Sequence, residues 1–374
     1  MPELALRGSK LGDGPHGRGV RAATIAEAVK ALVYHGPGNK SLIDVPKPAL
    51  EEATDALVRI TKTTLCGTDL HILKGDVPTV KAGRILGHEG IGVIEEIGSC
   101  NSRFHLGDQV LISCITACGK CEFCKRGMCS HCESGGWILG NTIDGTQAEF
   151  VRIPWADTSL HHLPDDADGE AMVMLSDILP TGYECGVLNG CVKPGDSVAI
   201  IGAGPIGLAA MLTAKFYAPE DIIMIDRDDH RLDIARKLGA TKVINIDRED
   251  AVLRAMAMTQ GKGVDVAIEA VGIADTFEMC QAIIGAGGHI ANVGVHGKSA
   301  ELHLETLWSK NITITTRLVD AVTTPLLMRT VSSGRLQPKQ LITHRYPLSD
   351  IMGAYDTFGN AAREHALKVI VTNE

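Results

Sequence analysis

The stretch "SVAIIGAGPIGLAAMLTA", residues 197–214, decides the fold. An apolar β run meets glycines spaced G-x-G-x-x-G, and a helical run follows. Gly202 permits the tight turn, Gly204 lets a pyrophosphate approach the backbone, and Gly207 lets helix and strand pack closely. The pyrophosphate then meets the helix N-terminus at Pro205 and Ile206, where free N–H groups and the dipole favour an anion. Asp226 closes the next apolar run, "DIIMID", nineteen residues after Gly207. A carboxylate there reaches ribose hydroxyls and repels a 2′-phosphate, so NAD is expected ahead of NADP. Arg227 and Arg231 stand nearby and would suit the phosphorylated form, or serve as solvated helix charge and adenine-face packing. The whole stretch is uncharged and could pass for a membrane span. Its glycines and Pro205 divide it instead into a strand and a helix.

Outward from this turn, "VDVAIEAVG", "GHIANVGV" and "NITITTRLV" continue the alternation of β and helical runs. That order predicts a parallel, helix-covered sheet, a doubly wound α/β fold. Upstream, from about residue 30 to 155, the text is strand-rich with frequent Gly and Pro, as in "LVRITKTTLCG" and "GHEGIGVIEEIG". The tail, "HALKVIVTN", reads as a closing strand. The expected organisation is a β-rich catalytic domain over 30–180 and 321–374, enclosing a nucleotide-binding domain over 181–320. Residues 1–29 are expected to be an appendage, with Thr24 and Glu27 spaced as a capping box.

Composition supports this reading. A chain of 374 residues exceeds the ~100–200 usual for one domain. Apolar residues at 45% and charged residues at 22% fit an ordinary globular protein. The net charge of −9 argues against nucleic acid or an anionic membrane as the main partner. The first thirty residues lack a continuous apolar core, so no secretory signal is expected and the cytoplasm is the expected compartment. The 11 cysteines are then expected to be reduced, which favours metal over disulfide.

Five of those cysteines crowd "CGKCEFCKRGMCSHC", residues 118–132. The C-x2-C-x2-C spacing of Cys118, Cys121 and Cys124 lets three thiolates converge on one ion, with Cys129 or Cys132 as fourth. Four thiolates around zinc close a tetrahedral site with no room for substrate, so such a site is structural. Ferredoxins open with the same spacing but continue x3-C-P; here the next cysteine follows x4 without proline. A second set lies upstream, Cys66 in "TLCGTDLHILKG" with His88 and Glu89 in "GHEG".

From about residue 31 onward, the chain resembles the zinc-dependent medium-chain alcohol dehydrogenases, with a Rossmann domain and a β-rich GroES-like domain. The resemblance implies Cys66 and His88 as catalytic-zinc ligands. The third ligand is a cysteine in many members, but "MLSDILPTGYE" places Asp177 there, as in bacterial isopropanol-type enzymes. Glu89 matches a glutamate near the metal, and Asp69 a carboxylate that orients the ligand histidine. The family's C-x2-C-x2-C-x7-C lobe selects Cys118, Cys121, Cys124 and Cys132, leaving Cys129 spare. Several isopropanol-type enzymes lack that lobe, so this chain mixes features.

The resemblance further implies two zinc ions per chain, one catalytic and one structural. Hydride passes from an alcohol to nicotinamide, and the proton leaves through Thr68 and His71. Thr181 matches a hydroxyl beside the nicotinamide. Trp137, Ile178 and Leu318 match pocket positions. Small secondary alcohols and their ketones are the implied substrates, with primary alcohols, polyols or threonine as alternatives. A non-catalytic dinucleotide or iron–sulfur sensor is the reading from another class. A homo-oligomer is implied, a tetramer ahead of a dimer.

Overall fold

The computed structural model describes residues 27–373. Thr24, and with it the expected capping box, lies outside the described residues. The first strand, Ala28–Gly36, starts inside the expected appendage and pairs antiparallel with Asn39–Pro46.

Among the described residues, a six-stranded sheet runs in the order Lys242–Asn245, Asp221–Asp226, Ser197–Ile201, Val264–Glu269, Ile284–Asn292, Thr313–Thr316. Every neighbouring pair is parallel. Lys242–Asn245 is a strand that the sequence reading did not name; its four residues, "KVIN", fall below a clear periodic signal. Helix Pro205–Ala214 buries all of Gly207–Ala214, as expected of a helix apolar on every face.

A second sheet has seven strands. Ile342–Pro347, Lys368–Thr372, Ala56–Thr64, Gly90–Ile97, Gln109–Ile112 and Leu160–His162 lie in that order, and Phe150–Ile153 also pairs with Ala56–Thr64. The chain therefore leaves this sheet, builds the parallel one, and returns through its last two strands. The architecture is a Rossmann-type α/β unit beside a β-rich unit, as expected. Helix Ile178–Thr181 and the wide-turn helix Gly182–Leu188 pass between them, packed on helix Pro205–Ala214.

Candidate active site

Strand register brings the site together. Thr63 pairs with Gly90, and Thr64 with Ile370, in antiparallel ladders on either side of Ala56–Thr64. Cys66, His88–Glu89 and Lys368 thus fall at neighbouring ends of three adjacent strands. Asp177 arrives from the other direction, just before helix Ile178–Thr181. Ser176 fastens it there: its Oγ accepts from Gly90 N–H (3.1 Å) and donates to the Gly90 carbonyl (3.2 Å).

Cys66, His88, Glu89 and Asp177 each offer a ligand atom, all within 4.8 Å of one another. Asp177 Oδ2 lies 3.4 Å from His88 Nε2 and 3.7 Å from Cys66 Sγ. Its other oxygen, Oδ1, accepts from Thr181 Oγ1 at 2.6 Å. Burial would favour the protonated Asp177, yet His88, Thr181 and Lys368 hold its carboxyl well below the usual range. Burial likewise works against a charged His88, but Asp177 and Cys66 raise it well above the ordinary imidazole value. Thiol, imidazole and one carboxylate oxygen form a borderline donor set that suits a small divalent ion such as zinc. A cation in this slot takes over the compensating role of the histidine's proton.

Glu89, the fourth member of the cluster, has both carboxylate oxygens engaged by other groups. Its Oε1 accepts from Lys368 Nζ at 2.6 Å and its Oε2 from Thr64 Oγ1 at 2.7 Å. Lys368 also donates to the Leu65 carbonyl at 3.0 Å. Burial opposes its charge, and Glu89 and Cys66 more than restore it, so its pKa is raised. Asp69 Oδ2 accepts from Cys66 N–H (2.9 Å) and Gln147 Nε2 (3.0 Å), while its buried Oδ1 has no hydrogen-bond partner. Asp69 therefore braces the cysteine loop, and His88 is the charge that most offsets the effect of burial on its carboxyl.

The five-cysteine stretch resolves into four sulfurs and one bystander. Cys118, Cys121, Cys124 and Cys132 offer Sγ atoms within 4.8 Å of one another. Backbone N–H groups of Cys118, Cys121 and Cys124 donate to the sulfurs of Cys132, Cys118 and Cys121 at 3.2, 3.4 and 3.5 Å. The Cys124 N–H and neighbouring donors lower the Cys121 thiol to about 6, whereas burial and Cys121 itself push Cys124 up. Four clustered sulfurs cannot all ionise without a cation, and a tetrathiolate cradle fits zinc. Cys129 instead packs against the buried cluster of Cys114, Ile115, Cys185, Val319 and Ala321.

The glycine turn has the shape the sequence implied. Gly202 has φ +103°, where a side chain would be strained. A Cβ on Gly207 would collide with the Gly202 carbonyl. Gly204, by contrast, stands at the head of helix Pro205–Ala214, where a Cβ would meet the Arg231 guanidinium at an ordinary 3.8 Å, with Ile206 in the helix's first turn. A cavity of about 420 Å³ lies here, lined by Gly202, Gly204, Asp226, Arg227 and Arg231 among others. Asp226 braces the turn, accepting from Ala203 N–H at 2.7 Å and Asp228 N–H at 2.9 Å. Open backbone, helix N-terminus and carboxylate together fit a dinucleotide.

The remaining expected residues are placed less uniformly. Thr68 Oγ1 lies 3.6 Å from Cys66 Sγ. His71 is on the solvent side, with Nδ1 3.1 Å from Asp76 Oδ2 and no hydrogen bond to Thr68. The Trp137 ring meets His88 edge-on at 6.2 Å. Ile178 is buried beside Asp177, while Leu318 is 46% exposed on the loop after Thr313–Thr316. Lys368 and Gln147 were missed. A lone lysine inside the apolar run "ALKVIV" was the available signal for Lys368, since an unpaired lysine is almost never fully buried; Gln147 gave none.

Fold and donor sets define a nucleotide-binding oxidoreductase. Residues 52–165 match the family profile described as alcohol dehydrogenase GroES-like domain, and residues 205–332 the profile described as zinc-binding dehydrogenase. An alcohol dehydrogenase of Cupriavidus necator is 38% identical over 92% of this chain and 98% of its own. The apo structure of zinc-dependent alcohol dehydrogenase 2 from Streptococcus pneumonia is 55% identical, with a TM-score of 0.89 over 92% of this chain and 99% of the other. Two more distant structures hold cofactor. An alcohol dehydrogenase from E. coli in complex with NADH is 25% identical (TM-score 0.84, covering 92% and 99% of the two chains). A zinc-binding dehydrogenase from Sinorhizobium meliloti bound to NADP is 27% identical (TM-score 0.83, the same coverage). This chain belongs to the zinc-dependent medium-chain alcohol dehydrogenase family. It is an oxidoreductase of alcohols.

Proposed function

We propose that the protein oxidises small secondary alcohols to ketones, and runs the reverse reaction, with NAD and zinc. The observation that carries this reading is the convergence of Cys66 Sγ, His88 Nε2 and Asp177 Oδ2. In this reading Cys66, His88 and Asp177 hold the catalytic zinc, and Cys118, Cys121, Cys124 and Cys132 the structural one. Zinc, when bound, supplies a Lewis acid that lowers the pKa of an alcohol.

The protein's own groups do the rest. Cys66, His88 and Asp177 would hold the ion and leave a position for the substrate oxygen, while Lys368 and Thr64 engage the two oxygens of Glu89. Thr68 takes up the hydroxyl proton, and His71 passes it to solvent. Asp226 binds the ribose hydroxyls and favours NAD; Arg227 and Arg231 are the groups through which NADP would be tolerated. The domain limits that go with this reading are 30–180 and 321–374 around 181–320.

The secondary-alcohol preference rests on Asp177 as third ligand and on Trp137 and Ile178 as an apolar wall. Its test is initial-rate NADH formation with propan-2-ol against ethanol. Faster turnover of propan-2-ol supports the assignment; a clear preference for ethanol overturns it. One observation favours a second reading, a diol: Trp137 Nε1 is buried without a partner, and a second substrate oxygen would satisfy it. Butane-2,3-diol outpacing propan-2-ol would support that alternative.

A further inference from the structure

We infer that Thr181 is a positioning residue that keeps Asp177 a one-oxygen ligand; the inference rests on the metal site proposed above. Its starting point is a division of labour within one carboxylate. Asp177 Oδ2 faces Cys66 and His88, whereas Oδ1 is held by the Thr181 hydroxyl at 2.6 Å. The contact follows from local geometry. Asp177 stands at the N-cap position of helix Ile178–Thr181, and Thr181 N–H donates to the Asp177 carbonyl at 2.8 Å. The same i, i+4 step that closes the helical turn sets the two side chains face to face.

The bond carries a chemical consequence. A carboxylate with both oxygens free can chelate an ion through either one or two of them. Two-oxygen binding would place a fourth donor on zinc from Asp177 alone and fill the position a substrate needs. With Oδ1 turned toward the Thr181 hydroxyl, Oδ2 is the oxygen presented to the ion, and three protein donors remain. Charge-assisted bonds of this kind are short and directional. A thiolate ligand has one donor atom and needs no such partner, so the hydroxyl has a role here that a cysteine at 177 would not call for. Thr181 thereby acts through Asp177.

The test compares Thr181→Val, Thr181→Ser and wild type. Zinc affinity is read by competition with a chromophoric chelator, and coordination by the visible bands of the cobalt-substituted enzyme. Loss of a partner that orients a ligand typically weakens metal binding about 10–100-fold. The expected result is a loss of that size in Thr181→Val, with weaker cobalt bands as the coordination number rises, and recovery of both in Thr181→Ser. Wild-type affinity and bands in Thr181→Val, or equal impairment in both variants, overturn the inference. A wild-type enzyme that binds no metal at Cys66, His88 and Asp177 would instead sink the site assignment itself.

Discussion

Lys368 Nζ lies 2.6 Å from Glu89 Oε1, and both side chains are 1% exposed. A buried pair of this kind sits beside a thiol, an imidazole and a carboxylate, so its two charges cancel where an extra carboxylate would otherwise compete for the ion. Desolvating the ions offsets much of their attraction, so the pair is better understood as placement than as a store of stability.

Lys368→Met leaves Glu89 buried without its cation. Breaking such a pair costs about 3–5 kcal/mol, whereas replacing both members by apolar residues is near neutral. Urea unfolding of the single variant should show a loss of that order, and Glu89→Leu/Lys368→Met should recover most of it. Equal losses in the two proteins would contradict the argument.

Asp226→Asn removes the charge at the cofactor cavity while keeping an acceptor for Ala203 N–H. A hydrogen bond to a charged group contributes about 1.5–3 kcal/mol, so KM for NAD should rise about 10–100-fold. The NADP/NAD ratio of kcat/KM should increase, since the repulsion of a 2′-phosphate is gone. An unchanged ratio would remove Asp226 from cofactor choice.

The cysteine lobe makes a prediction by contrast. Cys121→Ser should lose one zinc per chain, while Cys129→Ser should retain the wild-type content, because Cys129 packs against the buried cluster that includes Cys114 and Cys185 and is absent from the four-sulfur cluster. Metal analysis after desalting decides between them. Zinc loss in Cys129→Ser would reassign the fourth ligand.

Glu170 ties the start of helix Gly169–Val173 to the returning strand Ile342–Pro347 through Arg345, at 2.6 and 2.9 Å. The Arg345 hydrogen bonds, with help from Lys339, lower Glu170 from 4.5 to about 2. A carboxyl lowered in the folded state stabilises above its unfolded pKa, and that contribution fades as pH falls through the folded value. Glu170→Gln should therefore be less stable than wild type at pH 7. The gap should narrow from about pH 4.5 downward and close near pH 2, as followed by denaturant midpoints. A gap independent of pH would assign the effect to packing.

How much was legible in the sequence differs by feature. The glycine turn and the cysteine lobe depend on short local spacings, so Gly202, Gly207 and the 118–132 cluster could be read directly. The convergence of Cys66, His88 and Asp177 depends on strand register and on Ser176, which no spacing reveals; only family resemblance reached it. Thr181 was read as a neighbour of the nicotinamide, and the structure places its hydroxyl on Asp177, a contact that spacing alone allowed but did not select. Lys368 escaped because its partner lies 279 residues away in sequence.

The most direct test of the account is zinc content per chain in wild type and Asp177→Ala. Two zinc ions in the wild type, falling to one in the variant with loss of alcohol-dependent NADH formation, is the predicted result. Full zinc retention in Asp177→Ala would contradict the central claim that Cys66, His88 and Asp177 form the catalytic metal site.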